Sequence, residues 1–278
     1  MRTRELMAFV LERHNIYRRK EKGLPRPWTA DPILQQYRFC NVYRELDTVT
    51  TWIAENWRRP NRTDPDLWFA MTIARFVNWP DTLEEIGYPV PWNPKHFVEV
   101  MEDRKRRGEK VFTGAYMIHA DANFKGSKAA YLVEMVFGPL WRDRAILRRI
   151  VHGRLADAHR MLMKYRDMGS FMAGQVIADL KYVGSMREAK DWWTWAASGP
   201  GSRNGLNRVL GRKPTASWTE SDWFRQLRRL HAEMRPMIHE AKIPVMHAQD
   251  LQNSLCEWSK YERVRLGEGR PRSKYPGV

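Results

Sequence analysis

The stretch DLQNSLCEWSKY sets Asp250, Asn253, Glu257 and Tyr261 at steps of three, four and four, so a helix carries them on one face. Leu251, Leu255 and Trp258 fall on another face, and Lys260 flanks the polar row. Such a row is ordinarily solvated surface. An amide and a carboxylate one turn apart also suit the edge of a pyrimidine, and both readings stand. A second set, Arg38, Asn41 and Glu45 with Arg44 and Asp47 beside them, lies along the stripe Phe39, Val42, Leu46, Val49 and Ile53, whose spacing predicts one continuous helix. Its Arg–Glu pairs are either surface support, worth about 0.2–0.5 kcal/mol each, or a second polar wall.

A third set is SGPGSRNGLNR, residues 198–208, which places Gly199, Gly201 and Gly205 ahead of and within a helical pattern and adds Arg203 and Arg208. A helix N-terminus offers unpaired N–H groups and partial positive charge, and glycines let backbone approach a phosphate. The alternative is a basic turn. No Gly-Lys-Ser/Thr follows, so no kinase-type phosphate loop is present. A fourth set joins two amphipathic patterns at Asp167-Met168-Gly169-Ser170, as a helix-hairpin-helix does when backbone amides hold a DNA phosphate, although that motif has two glycines and only Gly169 fits. Between Arg142 and Arg166 stand eight Arg or Lys, Arg148 and Arg149 among them, against two acids. This favours a nucleic-acid face; a plain helical hairpin is the other reading. Trp192, Trp193 and Trp195 read as core before they read as base-stacking platforms.

The elements that must position these residues are helical nearly throughout. Asp31-Pro32 and Asp64-Pro65 read as N-caps with proline at the first helical position, and a helix from Pro94 stops at Gly108. Lys110–Ala120 is the best stretch for a short β-hairpin. Pro80–Pro94 is turn-rich and is the expected junction of two lobes within a single domain, residues 1–278; the basic tail, 265–278, would alone be disordered. The chain of 278 residues is 43% hydrophobic, with 13 Trp and 10 Phe, enough for a core. Its 48 Lys and Arg against 32 Asp and Glu leave a net charge of +16, so a polyanion, nucleic acid first, is the expected partner. No apolar run spans a membrane and no signal peptide opens the chain. Two cysteines and scattered histidines fit a cytoplasmic protein without a structural metal.

The segments DPILQQYRFCNVYRELD, FMAGQVIADLKY, DWWTWAASGPGSRNGLNRVLGR and AQDLQNSLCEWSKYERVRLGEGRPRSKY together resemble the alpha-glutamyl/putrescinyl thymine pyrophosphorylase family, in its third clade, over most of the chain. That family is related to the helical domain of the 5-hydroxymethyluracil DNA kinases of bacterial viruses. The resemblance implies a mainly α fold related to helix-hairpin-helix DNA glycosylases. It also implies a transferase that replaces the pyrophosphate of 5-pyrophosphomethyl-deoxyuridine in double-stranded DNA with an amine, from an amino acid or a polyamine. A base inside a duplex must flip out for this.

On that resemblance Ser202, Arg203, Asn204, Arg208 and the amides after Gly201 hold the leaving pyrophosphate. Arg38, Asn41, Glu45, Asn253, Glu257 and Tyr261 read the base. Asp191 or Asp250 takes the proton of the amine, and Lys260 steadies negative charge. Arg148, Arg149, Gly169 and Ser170 hold DNA. No redox cofactor is implied; a divalent metal could enter with the pyrophosphate through Asp250 or Glu257, and a 5-hydroxymethyluracil DNA kinase is a possible partner. One departure bears on hydrolysis: Gly201 and Ser202 stand where related glycosylases carry an acid. The rival readings are a glycosylase acting on a modified pyrimidine and a non-catalytic DNA-binding accessory.

Overall fold

The computed structural model describes residues 1–114, 121, 123–271 and 273–275. In chain order the helices are α1 (Thr3–Glu21), α2 (Pro32–Gln36), α3 (Thr48–Ile53), α4 (Leu67–Val77), α5 (Pro80–Ile86), α6 (Pro94–Arg106) and α7 (Lys128–Tyr131). After them come α8 (Gly138–Arg142), α9 (Arg144–Leu147), α10 (Leu155–Leu162), α11 (Ser170–Leu180), α12 (Pro200–Val209), α13 (Glu220–Glu240) and α14 (Ala248–Arg265). Ala54–Arg58 and Leu132–Phe137 are π-helical turns. The protein is mainly α. The described residues hold no strand, only one antiparallel bridge between Tyr37 and Lys274. Of the expected hairpin, Lys110–Gly114 carries no strand and residues 115–120 lie outside the described residues.

Several helix starts follow the proline rule. The Asp31 carboxylate accepts from the Ile33 and Leu34 amides, and the Asn93 side chain from that of His96, each one residue before a proline. Asp64 does not cap. Its carboxylate accepts from the Asp66 amide at 2.8 Å in a turn that delays α4 to Leu67. Gly108 ends α6 at φ +73°, the left-handed region glycine enters without penalty.

The chain forms two compact units, one of residues 1–47 and 193–278, the other of residues 48–192. The expected junction at 80–94 instead lies inside the second unit, where α5 occupies Pro80–Ile86.

The core of the first unit gathers Leu6, Phe9 and Val10 of α1, Leu206 and Val209 of α12, Trp223, Leu227, Leu230 and Met234 of α13, and Leu251, Leu255 and Trp258 of α14. Arg2 closes the end of this bundle, bonding the fully buried Glu262 at 2.5 Å, while Arg265 bonds the same carboxylate at 2.7 Å. The glycines of 199–208 act here. Gly199 caps α12, with its N–H donating to Ser202 Oγ at 3.1 Å. A Cβ on Gly201 would stand 2.4 Å from Cys256 Sγ, and one on Gly205 would stand 1.9 Å from the Leu255 carbonyl oxygen. These two positions let α12 lie directly on α14. Gly205→Ala is expected to cost at least about 1–3 kcal/mol, because backbone must retreat, whereas Gly169→Ala, open to solvent with no atom within 4 Å, should be near neutral. Chemical denaturation of the two variants checks the contrast.

In the second unit α4 is buried along its whole length and packs against α11. Phe69, Phe76, Phe97, Phe137 and Trp92 form an edge-to-face cluster around it. Asp179 on α11 takes two bonds from Arg75 on α4, at 2.6 and 2.5 Å. Arg75 also donates to Thr50 and Asn78, and the π-turn sets Arg58 NH1 4.0 Å from the same carboxylate. All five residues of this network, Arg58, Arg75, Thr50, Asn78 and Asp179, are buried. Helices α10 and α11 do not meet at 167–170: α10 ends at Leu162, and a turn-rich connection with Asp167 left-handed at φ +58° leads to α11 at Ser170.

Candidate functional site

Helix α14 presents Asn253, Glu257 and Lys260 toward the segment 38–47, both within the first unit. That segment is not the helix its spacing predicts. Its carbonyls and amides are taken by side chains: the Asn41 amide donates to Asp47 Oδ1 at 2.9 Å and Asn41 Nδ2 to the Leu46 carbonyl at 2.7 Å. The buried Arg13 of α1 donates to the Cys40 carbonyl, to the Asn41 carbonyl at 3.1 Å and to Ser254 Oγ at 3.4 Å. These bonds compete with the i→i−4 ladder, so only a 3-10 turn at Arg44–Leu46 forms before α3 begins at Thr48. The apolar stripe is divided accordingly: Val42 is buried in the first unit and Ile53 in the second.

The segment is pinned onto α14 from the other side. Asn253 Nδ2 donates to the Asn41 carbonyl at 3.1 Å, and the Cys40 amide donates to Glu257 Oε2 at 3.3 Å. The other Glu257 oxygen pairs with Lys260 Nζ at 2.5 Å. Glu257 is buried; Lys260 is half-buried and reaches solvent. Cys40 is solvent-exposed.

The electrostatics assign forms to these groups. Burial alone would lower the Lys260 ammonium, but the Glu257 carboxylate together with the neighbouring Cys40 and Cys256 outweighs it and lifts the pKa above the ordinary lysine value, so Lys260 is a cation at neutral pH. The same carboxylate, with burial, pushes the Cys40 thiol well up, and burial with Glu257 pushes Cys256 to about 11. Both stay protonated, which excludes a thiolate nucleophile at neutral pH. Burial raises the Asp47 carboxyl above the usual aspartate range, although the Asn41 amide and the Arg44 and Arg13 charges pull it down. A carboxylate so shifted is a better proton acceptor near neutrality.

The other residues singled out in the sequence are placed as follows. Asp250 sits in the first turn of α14, accepting from the His247 amide at 3.2 Å and the Arg44 amide at 3.4 Å. Tyr261 donates to Asp31 at 2.6 Å and stacks on Trp258. Glu45 lies in the 3-10 turn, and Arg38 is exposed with its guanidinium 5.9 Å from the Tyr275 ring centre. Ser202 is buried and bonds Gly199; the Asn204 side-chain amide reaches the Pro214 carbonyl at 2.8 Å. Arg203 pairs with Ser198 and Glu220, and Arg208 is buried against Glu268. Asp191 belongs to the second unit, where its oxygens cap α10 by accepting from the Leu155 and Ala156 amides at 2.9 and 3.0 Å. Arg148 there forms a forked pair with Asp66 at 2.8 and 2.6 Å; Arg149 and Gly169 are exposed, and Ser170 opens α11. Trp195 is core, whereas Trp193 is half exposed.

The polar faces of 38–47 and 250–261 thus meet, around Glu257. Arg13 is the residue sequence reasoning passed over. Its signal was a cation within the buried stripe Leu6, Phe9, Val10, Ile16 of α1, where a charge needs a buried partner.

No helix among the described residues is long and apolar enough to cross a membrane. A family model described as "5-hmdU DNA kinase, helical domain" matches residues 2–270. A 5-hmdU DNA kinase of Bacillus phage SP10 is 26% identical over 280 residues, which cover 91% of this chain and 43% of that protein. The chain therefore spans less than half the length of this relative. No solved structure matches the chain significantly.

Proposed function

The chain belongs to the family of 5-hmdU DNA kinase helical domains, and from that premise we propose that it is a transferase of thymine hypermodification, replacing the pyrophosphate of a 5-pyrophosphomethyl-deoxyuridine in DNA with an amine. The observation that carries the reading is the convergence of Asn41, Asn253, Glu257 and Lys260 at one half-open position of the first unit.

In this reading the flipped base meets the Asn41 and Asn253 side, and the Lys260 ammonium faces the departing diphosphate, the point where charge develops. The amine nitrogen bonds to the exocyclic methylene carbon as the carbon–oxygen bond breaks and pyrophosphate leaves. The surplus proton on nitrogen passes to Asp47, whose Oδ1 accepts from the Asn41 amide, in preference to Asp250 and Asp191, each of which has both oxygens engaged by backbone amides. Carbon keeps its oxidation state, so the reaction needs no redox cofactor; a divalent cation would travel with the diphosphate. Duplex contacts at Arg149 and at the α11 N-terminus belong to the second unit.

The test is a nucleoside mass spectrum of pyrophosphorylated DNA incubated with this protein and a mixture of amines. A heavier, amine-bearing thymidine is the expected product; unchanged nucleosides under conditions of DNA binding overturn the reading. A second reading, a DNA-holding module working with a kinase, is favoured by the match to part of a kinase. It gives binding with no new nucleoside.

A further inference from the structure

Residues 273–275 of the basic tail, which composition assigns to disorder, are tied down on the first unit. The Arg38 amide donates to the Ser273 carbonyl at 3.0 Å and the Tyr275 amide to the Gln36 carbonyl at 3.1 Å, the two bonds flanking the Tyr37–Lys274 bridge. This seats a buried Tyr275 ring edge-on to Trp28, with centroids 5.6 Å apart.

Cations collect on these two rings. Lys20 Nζ lies 4.6 Å from the Tyr275 centre and 4.7 Å from that of Trp28, and donates to the Tyr275 hydroxyl at 2.7 Å. Arg26 lies 4.6 Å from Tyr275 and 4.8 Å from Trp28, and Arg38 lies 5.9 Å from Tyr275. Lys274 stands 5.8 Å from the Tyr37 ring. Lys20, Arg26, Arg38 and Lys274 are all exposed. Among the described residues no carboxylate pairs with Lys20, Arg38 or Lys274, whereas Arg2, Arg19, Arg203, Arg208 and Arg265 of the same unit each have one.

Gathering Lys20, Arg38 and Lys274 with no carboxylate paired to them among the described residues costs Coulomb energy that a polyanion would repay. Cation–π contacts hold the ammonium and guanidinium groups in place while leaving their N–H donors outward. We propose that the strap 273–275 and the cations of Lys20, Arg26, Arg38 and Lys274 form a binding site for successive backbone phosphates of DNA, on the first unit and separate from the Glu257 site. The proposal rests on the reading that DNA is the substrate, and it adds where the strand is held on the same unit that processes the base. It takes Arg38 away from base reading and gives it to phosphate.

The experiment measures duplex DNA affinity against salt for the full chain and for the triple variant Lys20→Ala, Arg38→Ala, Lys274→Ala. Loss of three phosphate contacts lowers the slope of log K against log salt by about 2–3, and affinity at 0.15 M salt falls on the order of 100-fold. A charge-keeping triple, Lys20→Arg, Arg38→Lys, Lys274→Arg, keeps the slope. An unchanged slope in the alanine triple overturns the proposal. So does an equal loss in the charge-keeping triple, which would trace the effect to the strap's packing. Turnover is read separately: a wild-type chain that shows the slope difference but makes no new nucleoside defeats the transferase reading and leaves the phosphate site standing.

Discussion

Asp179→Asn removes the anion that holds two buried guanidinium groups, and the second unit is expected to lose about 3–5 kcal/mol of stability. Arg75 is fully enclosed and makes its shortest bonds to this carboxylate, with Arg58 on its other side. The neutral amide offers one acceptor where two were used and withdraws a negative charge from beside a buried guanidinium, in a medium that cannot solvate it. With two units present, a single unfolding free energy is not the right measure. Amide hydrogen exchange is: protection across α4 and α11 should collapse while that of α12 and α14 persists. Joint replacement, Arg75→Met with Asp179→Leu, should recover part of the loss, since a buried pair exchanged for apolar side chains is often neutral. If the single variant keeps its protection, the pair is not what fastens α4 to α11.

Glu257→Gln is expected to lower the transfer rate by about 100-fold or more while leaving duplex affinity unchanged. The carboxylate touches Lys260 and the Cys40 amide, so its loss acts through both. Glutamine can still accept from the amide, which preserves the fold of 38–47. What it cannot do is balance the ammonium. The Lys260 pKa is raised because Glu257 offsets burial; without that charge, burial pulls it down and the cation is lost at lower pH. The alkaline limb of the rate profile should therefore move toward neutrality in Glu257→Gln, a change that merely loosened packing would not give. An unshifted limb with full activity removes Glu257 and Lys260 from the mechanism.

The parts of the structure that one segment decides were legible. Asp31-Pro32, Asn93-Pro94 and the Gly199-Pro200 start each open a helix where cap and proline agree. The three-four-four row of α14 was legible too, because one helix sets its spacing. Segment 37–53 was not: its apolar stripe has helical period, but Arg13, some 27 residues upstream of Cys40, takes the carbonyls a helix would need. The glycines of 199–208 were read for their approach to phosphate. Gly201 and Gly205 serve the approach of α14, whose partner surface lies about fifty residues further on and has no local signature. Arg203 and Arg208 followed the same pattern, since Glu220 and Glu268 could be matched to them only once the helices were packed.

The first unit is made from both ends of the described chain, with residues 48–192 lying between its two parts in sequence. A ribosome working from the N-terminus therefore releases all of the second unit before α12, α13 and α14 exist. At roughly 5–20 residues per second, α1 spends on the order of ten seconds with Leu6, Phe9 and Val10 lacking their companions. The inserted unit has time to close on its own during that interval. Glu257, Lys260 and Asn253 join last, so the candidate site is complete only after translation has passed α14.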